Sequence, residues 1–151
     1  DAISLLRESP VALEIARYYP EERPLAIQLL GADVDLLVPA ADMLQDAGAD
    51  IIDLNMGCPM PKITRQGKGA ALMREPAETA ELLRALRRVC RVPFTVKIRG
   101  GWDDEHLNAV EVARVAEDCG VDAIRGRVRS GSPARRPGRS SATSWRRCAS
   151  R

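Results

Sequence analysis

An α/β fold of parallel strands is expected for this chain, because short apolar runs alternate with segments of helical periodicity and the connections between them are short. A further observation points the same way. "GAD" at 48–50 and "GVD" at 120–122 each put a glycine where a helix should stop, followed at once by an apolar run. About four strand–helix units can be read, which is half of an eight-stranded barrel.

Taken in order, "PLAIQLLG" (24–31) is a short apolar strand closed by glycine. "ADVDLLVPAADMLQDAGAD" (32–50) follows as a helix, with Leu36, Leu37, Ala40, Met43, Leu44 and Ala47 near helical spacing and Gly48 where a left-handed cap belongs. Pro39 is expected in the first turn of that helix, the residues before it forming a looser approach. "ADIIDLN" (49–55) is the second strand. A helix is expected from about Pro76 to Cys90, with Leu82, Leu83 and Leu86 on one side, and "VPFTVKIRG" (92–100) is the third strand. A last helix from about His106 to Cys119 ends at Gly120, and "VDAI" (121–124) opens a fourth strand.

Beyond Ile124 the pattern fails. Residues 125–151 contain nine arginines and no lysine, aspartate or glutamate, leaving 14 basic and all 21 acidic side chains, seven negative charges net, in residues 1–124. The tail is almost without apolar residues and is expected to be disordered. The domain boundaries expected are therefore 1–124 for the folded part and 125–151 for the tail. No apolar run approaches the roughly 20 residues that span a bilayer, and the acidic start "DAISLLRESP" lacks a signal pattern, so a cytoplasmic protein is expected. Cys58, Cys90, Cys119 and Cys148 are widely spaced with no C-x-x-C pair and no clustered histidines, which predicts reduced thiols and no metal site.

Candidate functional residues gather where strands end. "IIDLNMGCPMPK" (51–62) is a strand suited to burial on both faces, and Gly57, Pro59 and Pro61 forbid its continuation. Asn55 and Cys58 are thereby held at the strand's C-terminal mouth, the end that carries ligands in parallel α/β folds. A thiol there can be a nucleophile, a ligand, a general acid or an inert buried cysteine. Lys97 and Arg99 alternate on the third strand and project to one side, as an anion or a polar heterocycle would require. Gln28 occupies the corresponding end of the first strand. "QGKGAALMREP" (66–76) matches neither nucleotide-binding glycine pattern and is expected to be a flexible loop before a helix. His106, the single histidine, is expected to be solvated, and Asp103 and Asp104 to favour a helix N-terminus.

Four stretches, "PLAIQLLG", "ADIIDLNMGCPMPK", "GKGAALMREP" and "VKIRGGWDD", resemble the bacterial-type tRNA-dihydrouridine synthases in order and spacing over roughly residues 1–124. The resemblance implies a partial flavin-binding TIM barrel and the reduction of uridine to 5,6-dihydrouridine in tRNA, with FMN as cofactor and NAD(P)H as reductant. It implies that Gln28, Asn55 and Lys97 contact FMN, that Asn55 and Arg99 hold the uracil, and that Cys58 gives the proton to C5 while hydride from reduced FMN reaches C6. A lysine beside a reduced flavin stabilises developing negative charge, and the target base must be extruded from the tRNA. Two other readings stand beside this one: an RNA-binding or interaction protein acting through its arginine-rich tail, and another pyrimidine-reducing flavin barrel of the dihydroorotate dehydrogenase kind.

The family's opening Ala-Pro-Met strand and loop are not in this sequence, which is read as truncated at its N-terminus. Nor does the family's Val-His-Gly-Arg-Thr-Arg continuation, with its flavin-phosphate histidine, follow "VDAI". Residues 125–138 can be encoded so that a shifted frame reads Arg-Thr-Arg-Ala-Gln-Arg-Phe-Thr-Gly-Glu-Ala-Ala-Trp, which restores the family order. A frameshift just after Ile124 is therefore expected. With half its strands the sheet cannot close, and its open edges are expected to favour aggregation and to leave the chain inactive alone.

Overall fold

The computed structural model describes residues 1–7, 20–127 and 145–147. Helix α1 (Ala2–Leu6) leads to strand β1 (Ala26–Leu29), helix α2 (Val34–Asp46) and strand β2 (Ile51–Met56). A short helix α3 (Pro61–Thr64) and a 3₁₀ turn (Gly69–Met73) precede helix α4 (Pro76–Val89). Strand β3 (Phe94–Arg99), helix α5 (Ala109–Asp118), strand β4 (Ala123–Arg127) and strand β5 (Trp145–Arg147) follow. Strands β1 to β4 lie side by side in chain order and pair in parallel, and β5 adds antiparallel to β4. The four parallel strands with helical crossovers are a partial (β/α)8 barrel.

The register separates the two faces of the sheet. Ile52, Leu54, Met56, Phe94, Val96 and Ile98 are buried and belong to the same core as Leu37, Leu44, Leu83, Leu86 and Val112 of the helices. The intervening residues form the concave face. One cross-strand row there is Gln28, Asp53, Thr95 and Ala123, and the next is Asn55, Lys97 and Arg125. Apolar residues meet the helices, and polar ones line the side that a closed barrel would enclose.

The two expected glycine stops are present, and they share one hydrogen-bond pattern. Gly48 (φ +99°) donates to Gln45 O while Ala49 donates to Leu44 O; Gly120 (φ +81°) donates to Glu117 O while Val121 donates to Ala116 O. Each closes a helix and turns the chain directly into the next strand.

Three expectations need correction. Helix α2 does not begin at Pro39 but at Val34, because Asp33 caps it by accepting from the Asp35 N–H at 2.9 Å. Pro39 sits inside the helix, where its missing donor is offset by burial of Leu37, Ala40, Ala41 and Leu44. Helix α5 starts at Ala109 rather than near His106, so Asp103 and Asp104 lie ahead of it. Asp103 instead accepts from the Glu105 and His106 N–H groups and from the His106 ring, and Asp104 pairs with Arg99 at 3.3 Å. The glycine-rich stretch 66–76 is not a loose loop: Gly69, Ala70, Leu72 and Met73 are buried, and Lys68 pairs with Asp1 at 2.7 Å.

Strand β4 also runs through Arg127, past the boundary expected at Ile124, because pairing of Lys97 with Arg125 and Arg99 with Arg127 needs only backbone groups. The expected disorder of 128–144 and 148–151, and the thiol of Cys148, lie outside the described residues.

Candidate functional site

The mouth of the sheet is built from strand ends. Asn55, Gly57, Cys58, Pro59, Lys97, Ile98 and Arg99 line one cleft of about 550 Å³, within the size range of cofactor and small-molecule sites. Four of the five residues expected from sequence therefore meet in one cavity. Gln28 reaches it through a hydrogen bond, its Oε1 accepting from Asn55 Nδ2 at 2.8 Å.

Asn55 shapes the loop that follows. Its Oδ1 accepts from the Gly57 N–H at 3.1 Å and from the Cys58 N–H at 3.0 Å, so one side chain turns the backbone out of the strand and sets the cysteine beside the cleft. The loop is held from beneath by the 3₁₀ turn, where the Ala70 N–H donates to Cys58 O at 2.9 Å. Gly69 has φ +62°, and a Cβ there would sit 2.7 Å from Cys58 O, so only glycine permits this approach. Gly69 and Ala70 lie in the glycine-rich stretch 66–76, whose Gly-Lys-Gly spacing is the sequence signal for this support.

Charge at the mouth is mostly positive. Lys97 is half-buried and, among the described residues, its ammonium has no hydrogen-bond or ion-pair partner. Arg99, with a side chain 16 % exposed, pairs with the exposed Asp104 at 3.3 Å. Below them lies Asp53, 9 % exposed, which no motif in the sequence singles out. Its Oδ1 accepts from Thr95 Oγ1 at 2.6 Å and its Oδ2 from Gln28 Nε2 at 2.5 Å. Burial pushes the Asp53 carboxyl above its ordinary value, against the lowering effect of those two hydrogen bonds and of the charges on Lys97 and Arg125.

Cys58 is half-buried and free, whereas Cys90 and Cys119 are buried and burial pushes both thiols up. Iodoacetamide at neutral pH is therefore expected to label Cys58 at least about tenfold faster than Cys90 or Cys119, read by peptide mass spectrometry. Equal rates at the three positions would contradict the placement of Cys58. His106, expected to be solvated, is largely exposed but stacks on Trp102 with ring centroids 5.9 Å apart, and Arg74 lies over the Trp102 ring at 3.9 Å.

A family model described as dihydrouridine synthase (Dus) matches residues 4–148. The chain belongs to the dihydrouridine synthase family. It is 44 % identical over 111 residues to tRNA-dihydrouridine synthase B of Shewanella oneidensis, covering 72 % of this chain and 34 % of that protein. Its identity to the protein of the same name from Pectobacterium carotovorum is 45 % over 107 residues, 70 % of this chain and 33 % of that one. For that of Pseudomonas aeruginosa it is 44 % over 112 residues, 73 % and 34 %. This member of the dihydrouridine synthase family thus spans about a third of the length of those relatives. Among solved structures, it is similar to the carboxyl transferase domain of Rhizobium etli pyruvate carboxylase at TM-score 0.47 and 23 % identity, over 68 % of this chain and 16 % of that one.

Proposed function

We propose that this chain carries one wall of the active site of a tRNA-dihydrouridine synthase, the enzyme that reduces uridine to 5,6-dihydrouridine in tRNA using FMN and NAD(P)H. The observation that carries the reading is the convergence of Asn55, Cys58, Lys97 and Arg99 on one cleft in a chain of this family. The residues suit a flavin. Gln28 and Asn55 present amide groups at the mouth, and among the described residues the Lys97 ammonium has no hydrogen-bond or ion-pair partner. When bound, FMN supplies the hydride for the pyrimidine double bond.

The chain's own groups do the rest. Gln28, Asn55 and Lys97 would hold the cofactor, and the Lys97 ammonium would offset negative charge beside it. Asn55 and Arg99 hold the uracil edge. Cys58 gives its thiol proton to C5, the carbon next to the one that accepts hydride. The substrate base must leave the tRNA stack to reach the cleft, at a cost of a few kcal/mol.

The direct test is a chimera in which the matching segment of the Shewanella oneidensis synthase is replaced by residues 1–124 of this chain. The expected product is dihydrouridine in tRNA, seen as a uridine gaining two hydrogens by nucleoside mass spectrometry. Reduction of free pyrimidines without tRNA would favour a dihydroorotate dehydrogenase-like activity instead.

By itself, the 151-residue chain is expected to bind FMN weakly and to show no turnover, because four parallel strands leave the concave face open to water. A desalted preparation that remains yellow with stoichiometric flavin would overturn this. The arginine-rich composition after Ile124 is proposed to be frame-shifted text, and sequencing the encoding DNA across codon 124 decides it.

A further inference from the structure

Hydrogen-bond polarity runs unbroken from the floor of the sheet to the cysteine loop. Backbone N–H groups only donate, so Asn55 must turn its Oδ1 to Gly57 and Cys58 and its Nδ2 toward Gln28. Gln28 must then offer Oε1 to Asn55, which leaves Nε2 facing Asp53. An acceptor is obligatory at that point, and Asp53 Oδ2 is the acceptor. Its other oxygen is held by Thr95, which keeps the carboxylate from rotating.

From this we infer that Asp53 is a positioning residue: its carboxylate fixes the amide orientation of Gln28, and through Gln28 and Asn55 it sets the backbone that presents Cys58. The inference rests on the proposed role of Cys58, but its direct readout is the loop and not turnover. An asparagine at 53 that kept its bond from Thr95 would turn an N–H group toward Gln28. Gln28 would then flip, Asn55 would flip after it, and two N–H donors would face the Asn55 amide nitrogen. The loop would lose both of its hydrogen bonds.

The experiment is amide hydrogen exchange, resolved by residue, on the full chain. Asp53→Asn is expected to speed exchange at Gly57 and Cys58 by about tenfold or more, the scale of one lost hydrogen bond, while ladder amides such as Leu54 and Val96 change less than about twofold. The double variant Asp53→Asn with Gln28→Glu is expected to restore protection, since the carboxylate moves from one end of the link to the other and the polarity beyond it is unchanged. Unchanged exchange at Gly57 and Cys58 in Asp53→Asn would overturn the inference. So would a loss spread evenly over the ladder that Gln28→Glu does not reverse. If Asp53→Asn alone fails to fold, Gln28→Leu at the exposed mouth cuts the same link. It must loosen the same two amides, and unchanged exchange there overturns the inference equally. Failure of the chimera to modify tRNA, with the exchange pattern intact, would count against the proposed reaction and leave the relay standing.

Discussion

Cys58→Ala in the chimeric synthase is expected to lower the rate of dihydrouridine formation by about 10²–10⁴-fold, the usual contribution of a positioned general acid. Cys58 lines the cleft with Asn55, Lys97 and Arg99, and Asn55 and Ala70 fix its backbone from two sides. Alanine keeps those backbone bonds and removes only the thiol, so tRNA affinity is expected to stay near its original value while the chemical step slows. Dihydrouridine counted by nucleoside mass spectrometry, with tRNA binding measured in parallel, separates the two. A variant that turns over at the original rate would remove Cys58 from the mechanism.

The largest effect on stability is expected at Phe94. It is fully buried, stands opposite Ile52 in the sheet, and its backbone is held at both groups by Asp122: the Phe94 N–H donates to Asp122 Oδ2 at 2.7 Å and Phe94 O accepts from the Asp122 N–H at 2.8 Å. Phe94→Ala keeps those backbone bonds but empties the space between β3 and the helices. A loss of about 3–5 kcal/mol is expected from the removed burial and the cavity left behind. Urea unfolding of the variant against the original chain measures it, and a loss below about 1 kcal/mol would mean that the site collapses around the gap.

The parts of the site that the sequence displayed are those where a strand meets its stop. Asn55, Cys58, Lys97, Arg99 and Gln28 each stand within three residues of a following glycine or proline, and a parallel fold sends all such ends to one side. Asp53 gave no such signal. It lies within "IIDLN", and its meaning comes from Gln28 and Thr95, partners 25 and 42 residues away that only register brings beside it. The glycine-rich support turn is equally hidden, since Gly69 looks like looseness in a sequence and acts as clearance in the fold. Helix starts fared worse than helix ends. Gly48 and Gly120 declare their stops through backbone freedom, whereas Asp33 caps α2 amid other polar residues that fit a cap equally well, and α5 begins after Asn108 with no side-chain cap to announce it.

The ordering of the sheet bears on how such a chain is made. Strands β1 to β4 are neighbours in space in the order of translation, so each can dock on its predecessor as it leaves the ribosome. The concave face they build is polar, with Gln28, Asn55, Lys97 and Arg99 toward water. A nascent half-barrel therefore shows the cell a wettable bowl rather than an oily one. Among the described residues the edges of that bowl are β1 and β5, and the free N–H and C=O groups of an edge strand are what a second chain can pair with.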